Sequence, residues 1–315
     1  MQIVLLESLG IPENLLRELV APLTAAGHTF NAYERTTDEA KLIGECSGAD
    51  VLMLANMPLP GSVIRACENL KYINIAFTGV DHVDMAAAKE KGIAVSNAAG
   101  YATQAVAELT IGQMISLLRN VNATEAQCRQ GGTKNGLVGS ELGGRTVGVI
   151  GTGAIGQRVA QLCGAFGCRV LGYAPRPKEA AKQWLTYVSL EELLEQSDIV
   201  SLQCPLTAET RGMIGAEQLA MMKPGSYLIN MARGPVVDSA ALADALNNCH
   251  LMGAAIDVFE QEPPIPQQHP LLHARNCRVT PHIGFASQQS MALRARIVFD
   301  ALQGWLEGRE ANRVL

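Results

Sequence analysis

The stretch TVGVIGTGAIGQRVAQLCGAFGCRVLGY, residues 146–173, limits what this chain can fold into more than any other part of it. A β-branched run leads into Gly151, Gly153 and Gly156 in G-x-G-x-x-G spacing, an amphipathic helical pattern follows, and a second apolar run closes the unit. The six-residue spacing alone is weak evidence. A strand before it and a helix after it give it meaning. Gly151 permits a tight turn, Gly153 lets backbone approach a pyrophosphate, and Gly156 lets the helix pack closely on the strand. The helix N-terminus, at Ala154 and Ile155, then offers N–H groups and partial positive charge to phosphates. A dinucleotide is therefore the expected ligand of this turn.

The rest of the chain carries the same alternation. QIVLLE, VLMLAN and YINIAF read as buried strands, separated by helical patterns such as PENLLRELVAPLTAAG and DMAAAKEKG. A second series runs from TVGVIG through CRVLGY, SDIVSLQ, GSYLINM and LMGAAID to CRVTPHIG. Alternating strands and helices imply an α/β fold with parallel sheets covered by helices on both faces. A length of 315 residues suggests two domains. The segments QAVAELTIGQMISLLRNVNATEAQ and ASQQSMALRARIVFDALQGWLEG read as long connecting helices. If both cross between domains, residues 1–100 and 286–315 form one discontinuous domain and residues 101–285 the dinucleotide-binding one. The first connector is apolar on nearly every side, through Val106, Leu109, Ile111, Met114, Ile115, Leu117 and Leu118. Such a helix must be buried on more than one face, so a homodimer is expected.

Composition excludes several classes. A net charge of −5 gives no reason to expect nucleic acid. The first residues, MQIVLLESLG, lack a basic leader region and read as a strand that Glu7 interrupts. No apolar run approaches the ~20 residues that span a bilayer, so no membrane association is expected. Eight cysteines lie scattered, none in zinc-knuckle or redox C-x-x-C spacing. They read as reduced thiols of a cytoplasmic protein, with no metal site.

The ribose end of the turn is unusual. After the strand RVLGY, an acidic residue would hydrogen-bond the adenosine ribose and favour NAD. The chain has Ala174 there, with Arg176 and Lys178 close behind. A guanidinium pairs well with a 2′-phosphate, and the missing acid removes its repulsion. The pattern leans toward NADP(H). The alternative is that Arg176 is a solvated loop residue.

Three later stretches, NMARGPVVD, IDVFEQEPP and VTPHIG, each end an apparent strand, where doubly wound sheets bind ligands. They supply Arg233, Glu262 and His282. Each alone has a plain structural reading, as a surface charge or a bonded interior residue. Together beside a dinucleotide they fit reduction of a 2-keto acid by hydride. His282 supplies the proton to the carbonyl oxygen and takes it back in reverse. Glu262 holds the imidazolium, and Arg233 grips the substrate carboxylate in a fork.

With these residues in view, the sequence resembles the D-isomer-specific 2-hydroxyacid dehydrogenase family over nearly its whole length. The resemblance rests on FTGVDHVD, NAAGYATQAVAEL, GRTVGVIGTGAIGQRVA, LTAETRGMIG, MKPGSYLINMARGPVVD, DVFEQEPP and TPHIG. It implies two α/β domains, a Rossmann-type cofactor domain and a flavodoxin-like substrate domain, with the active site in their cleft and usually a homodimer. It implies Arg233, Glu262 and His282 as the catalytic trio and Asp257 on the nicotinamide amide. Thr103 would lie near the cofactor phosphates, and Ala232 and Gly284 join the cofactor-binding set. Asn56, Met57, Gly79 and Val80 would hold the substrate, with backbone N–H groups on its carboxylate. Ala174 departs from the NAD-using members, and YAPRPK is similar to the pattern of NADP-preferring glyoxylate/hydroxypyruvate reductases. Formate dehydrogenases of the superfamily carry Gln where this chain has Glu262.

The presumed substrate loop VLMLANMPLPGSV holds no Lys or Arg, which disfavours 3-phosphoglycerate unless a base comes from elsewhere in the fold. Met57, Leu59 and Phe77 suggest room for a small or moderately apolar group. Glyoxylate, hydroxypyruvate or another short 2-keto acid is the expected substrate. The alternatives are a 3-phosphoglycerate or phosphite dehydrogenase, or a dinucleotide-sensing corepressor-like binding protein.

Overall fold

The structure is a computed structural model that describes residues 1–261, 264–309 and 312–315. The chain divides into two compact units, residues 1–102 with 286–315, and residues 103–285.

The first unit is a parallel five-stranded sheet: β1 (Gln2–Leu5), β2 (Thr29–Ala32), β3 (Val51–Leu54), β4 (Tyr72–Ile75) and β5 (Ala94–Asn97), ordered β2-β1-β3-β4-β5. Strands β3 and β4 are buried at every position, as continuous apolar runs in a sheet covered on both faces should be. Strand β2 is polar and largely exposed because it is an edge, and nothing in its sequence marks it as a strand. The helix Gln288–Leu306 starts at Ser287, whose side chain accepts from the Ser290 N–H. It joins this sheet through Trp305 stacked on Tyr72 at 4.7 Å and through buried Asn74, which donates to the Val298 carbonyl at 2.6 Å. The C-terminal residues pair antiparallel with β5, Val314 N–H donating to the Val95 carbonyl at 2.8 Å.

The second unit holds seven parallel strands. These are β6 (Thr146–Ile150), β7 (Arg169–Tyr173), β8 (Thr186–Tyr187), β9 (Ile199–Leu202), β10 (Tyr227–Asn230), β11 (Gly253–Ile256) and β12 (Cys277–Val279). Their order is β12-β11-β10-β9-β6-β7-β8. The chain runs outward from β6 to β8 and then returns to β9 on the other side of β6. That reversal opens a crevice at the carboxyl ends of β6 and β9, where doubly wound sheets bind their ligands. Both units thus have the expected doubly wound α/β architecture.

The first long helical pattern is not one helix. It forms Thr103–Leu118 and Val121–Arg129, broken at Asn120 in the left-handed region (φ +50°). The Asn120 side chain donates to the Leu137 carbonyl at 3.3 Å, which holds the break. Helix Thr103–Leu118 packs on helix Ala154–Ala165 within the same unit, so its many apolar residues already serve this chain's own core. Among the described residues, no helix is long and apolar enough to cross a membrane.

Candidate active site

The glycine turn follows β6. Gly151 sits at φ +96°, and a Cβ there would lie 2.5 Å from the Cys204 backbone nitrogen that follows β9. Gly156 faces the Gly151 carbonyl so closely that a Cβ would sit 1.9 Å from its oxygen. Gly153 is different: a Cβ there would meet nothing within 4 Å. Packing therefore explains two of the glycines and leaves the third facing open space, where a phosphate would approach. The helix Ala154–Ala165 begins at Gly153 with no side-chain cap, so its first N–H groups, at Ala154, Ile155 and Gly156, remain for a ligand. The residues present fit a dinucleotide.

Ala174, where the sequence placed the ribose end, follows directly on β7 and is half-buried. Arg176 and Lys178 are exposed and form no ion pair among the described residues, whereas Lys182 is taken by Glu179 at 2.7 Å. Thr103 is the first residue of its helix.

On the other side of β6, neighbouring strands deliver the chemistry. Buried Asn230, the last residue of β10, folds the next turn. Its Oδ1 accepts from Ala232 N–H and its Nδ2 donates to the Arg233 carbonyl, both at 3.0 Å. Arg233 is half-buried, and its Nη1 donates to the Ala232 carbonyl at 2.8 Å. Gly234 must be glycine, since a Cβ would fall 1.9 Å from the Phe259 carbonyl carbon.

Asp257 follows β11 and is 2% exposed. Its Oδ1 accepts from Thr280 Oγ1 at 2.5 Å and Ile283 N–H at 2.9 Å, and its Oδ2 from Gly284 N–H at 2.7 Å. Burial pushes this carboxyl above the ordinary aspartate range, against those hydrogen bonds, which favour the anion. Between these anchors stands His282, which follows β12 at φ +56°, its N–H donating to the Asp257 carbonyl at 2.7 Å. A non-glycine residue in that region is strained, and such strain gathers at functional sites. Its ring lies edge-on to Phe285 at 5.3 Å. Glu262 lies outside the described residues.

In the first unit, Asn56 and Met57 follow β3, and Gly79 and Val80 follow β4. Sequence reasoning missed what holds them. Glu7, 4% exposed, accepts Ala55 N–H and Met57 N–H on Oε1, both at 2.8 Å. Its Oε2 pairs with Arg35 Nη1 at 3.0 Å, and the same Nη1 donates to Asn56 Oδ1 at 2.9 Å. The Met57 N–H is thereby engaged within the protein. The one signal was the acid that interrupts the first apolar run. Arg35 also brings to this loop the cation that the loop's own sequence lacks.

A sequence profile for the D-isomer specific 2-hydroxyacid dehydrogenase, NAD binding domain, matches residues 111–284. Over 294 residues the chain is 35% identical to the hydroxypyruvate reductase of Blautia hydrogenotrophica, covering 90% of each protein. It is 37% identical over 310 residues to the D-3-phosphoglycerate dehydrogenase of Methanocaldococcus jannaschii, which covers 97% of this chain but 58% of that protein. An acyclic imino acid reductase solved with NADPH and D-Arg superposes with a TM-score of 0.90 at 26% identity, covering both chains fully. Two doubly wound parallel units, one of them carrying this glycine turn and the Arg–Asp–His strand ends, define a class of nicotinamide-dependent oxidoreductase fold. Within that class, the chain belongs to the D-isomer-specific 2-hydroxyacid dehydrogenase family.

Proposed function

We propose that this protein reduces a short 2-keto acid, such as glyoxylate or hydroxypyruvate, to the D-2-hydroxy acid, using NADPH in preference to NADH. The observation that carries the reading is the hydrogen-bonded series Asn230–Asp257–His282, which sets Arg233 and His282 at the ends of β10 and β12, on either side of Asp257 at the end of β11, in the sheet that bears the glycine turn. Gly151, Gly153, Ala154, Ile155 and Gly156 hold the pyrophosphate, and Thr103, Ala232 and Gly284 complete the cofactor-binding set. Arg176 beside Ala174 meets the 2′-phosphate. Asp257 Oδ2 accepts one hydrogen bond from Gly284, which leaves a lone pair for the nicotinamide amide.

The bound nicotinamide supplies the hydride that adds to C2. Arg233 binds the substrate carboxylate in a fork and draws charge from the carbonyl. His282 gives the carbonyl oxygen a proton from a ring nitrogen, so that hydride plus proton make the hydroxy acid. Glu262 is the proposed partner of the imidazolium. Asn56, Met57, Gly79 and Val80 hold the substrate. A homodimer belongs to the same reading, supported by exposed Val121 and Val138, which line one surface hollow together with Ile115 and Leu137.

One observation favours a second substrate. Arg35 reaches Asn56 from another strand end, so the loop does have a cation, and a substrate phosphate gains a partner. The test is initial rates with glyoxylate, hydroxypyruvate, pyruvate and 3-phosphohydroxypyruvate, each with NADPH and NADH, for the wild type and His282→Ala. The variant is expected to lose about 10²-fold or more in turnover while still binding cofactor. Near-normal turnover would remove His282 as the acid. Best turnover with the phosphorylated acid would transfer the reading to a phosphoglycerate dehydrogenase.

A further inference from the structure

We propose that Tyr187 is a positioning residue for the cofactor's 2′-phosphate, an assignment that rests on the NADP(H) reading above. Tyr187 is the last residue of the edge strand β8, paired in register with Gly172 of β7. Its hydroxyl donates to Thr152 Oγ1 at 2.7 Å and accepts from the Lys178 backbone N–H at 2.9 Å. Thr152 lies inside the glycine turn and is 3% exposed. Lys178 closes the loop that carries Arg176. A single oxygen thus ties the pyrophosphate-binding turn to the ribose-end loop.

The two partners depend on this tie unequally. The turn keeps Gly151 N–H on the Tyr173 carbonyl at 2.8 Å and Gln157 Nε2 on the Thr152 carbonyl at 3.0 Å. The loop has less. Among the described residues, the bond to Tyr187 is the one hydrogen bond that any of residues 174–178 donates. Pro175 and Pro177 have no N–H and stiffen the loop, so fixing its two ends at Tyr173 and Lys178 fixes the Arg176 backbone between them. Tyr187 therefore sets where the exposed guanidinium meets a phosphate, while the pyrophosphate grip survives its loss. The effect belongs to discrimination between the two dinucleotides rather than to binding in general.

The test is calorimetric titration of the full chain with adenosine 2′,5′-bisphosphate and with 5′-AMP. Tyr187→Phe keeps the ring and removes both bonds. It is expected to weaken the bisphosphate by about five-fold, roughly the worth of one hydrogen bond, and 5′-AMP by less than about two-fold. Thr152→Val, which removes only the acceptor, is expected to lower the same ratio by a smaller factor. If the wild type does not favour the bisphosphate, the NADP(H) reading fails and takes this assignment with it. If the wild type discriminates and Tyr187→Phe discriminates equally, or loses both ligands in parallel, the Tyr187 assignment alone is overturned.

Discussion

At the scale of single residues, carboxylates do the positioning. Asp257 is almost wholly buried and takes three donors from the segment that holds His282, so that loop is wrapped around an acid. Glu7 does the same for the loop at Asn56 and Met57. Asp198 works at the opposite, amino edge of the second unit's sheet, just before β9, where it accepts Thr146 N–H at 2.8 Å and Lys223 Nζ at 3.0 Å. Burial alone would raise its pKa, but the Thr146 and Lys223 bonds win and hold it below the usual aspartate range. A depressed acid stabilises the fold above its unfolded pKa, and that stability is lost as pH falls through the folded one. Asp198→Asn is therefore expected to cost about 1 kcal/mol at pH 7, discounted because Lys223 is partly exposed. The difference should shrink as pH drops below the ordinary aspartate value of about 3.9, which urea melts at several pH values would follow. A pH-independent difference would mean that packing, not charge, is lost.

At the scale of elements, the glycine turn shows how spacing becomes geometry. The close approach of Gly156 to the Gly151 carbonyl leaves no room for a methyl group. Gly156→Ala is expected to push the helix Ala154–Ala165 off β6, costing about 1–3 kcal/mol as an overpacked contact and weakening dinucleotide binding with it. Gly153→Ala meets no such wall and should cost the fold less than about 1 kcal/mol while also impairing the phosphate site. Thermal melts with and without dinucleotide separate the two, and equal stability losses would remove the distinction. This element was legible in the sequence because it is local: a strand, three glycines and a helix within 28 residues. The break at Asn120 was not, because it depends on the Leu137 carbonyl, 17 residues away, and the long apolar pattern gives no stop signal. The edge strand β2 was equally invisible. Its pairing comes from β1 and not from its own residues.

At the scale of the whole molecule, a formal charge of −5 is poor overall preparation for a multiply charged anion. The fold offers local features: an uncapped helix N-terminus and, on the loop after β7, exposed Arg176 and Lys178, which form no ion pair among the described residues. Ligand that binds only the native state must raise its stability. NADPH at about 100 times its dissociation constant is expected to add about 2.7 kcal/mol and raise Tm accordingly, with a smaller gain from the same concentration of NADH. Equal gains from both would mean that the 2′-phosphate makes no net contact. A Tm unmoved by either would remove the dinucleotide itself.

The sequence by itself determined the α/β class, the glycine turn between β6 and its helix, the alanine at position 174 after β7 and which strand ends bear Arg233, Asp257 and His282. These are carried by short-range patterns, periodicity and glycine spacing, that the backbone must obey locally. Only the tertiary structure decided what holds them. Asp257 is bonded to the segment around His282, Glu7 and Arg35 to the loop at Asn56, and Tyr187 to both Thr152 and Lys178. All but the shortest of these bonds join residues 20 to 50 positions apart, brought together by strands that are adjacent in the sheet or one strand removed. Register across a parallel sheet is set by helices that cross over between its strands, and no local pattern in the chain records which side chains will meet at its carboxyl edge.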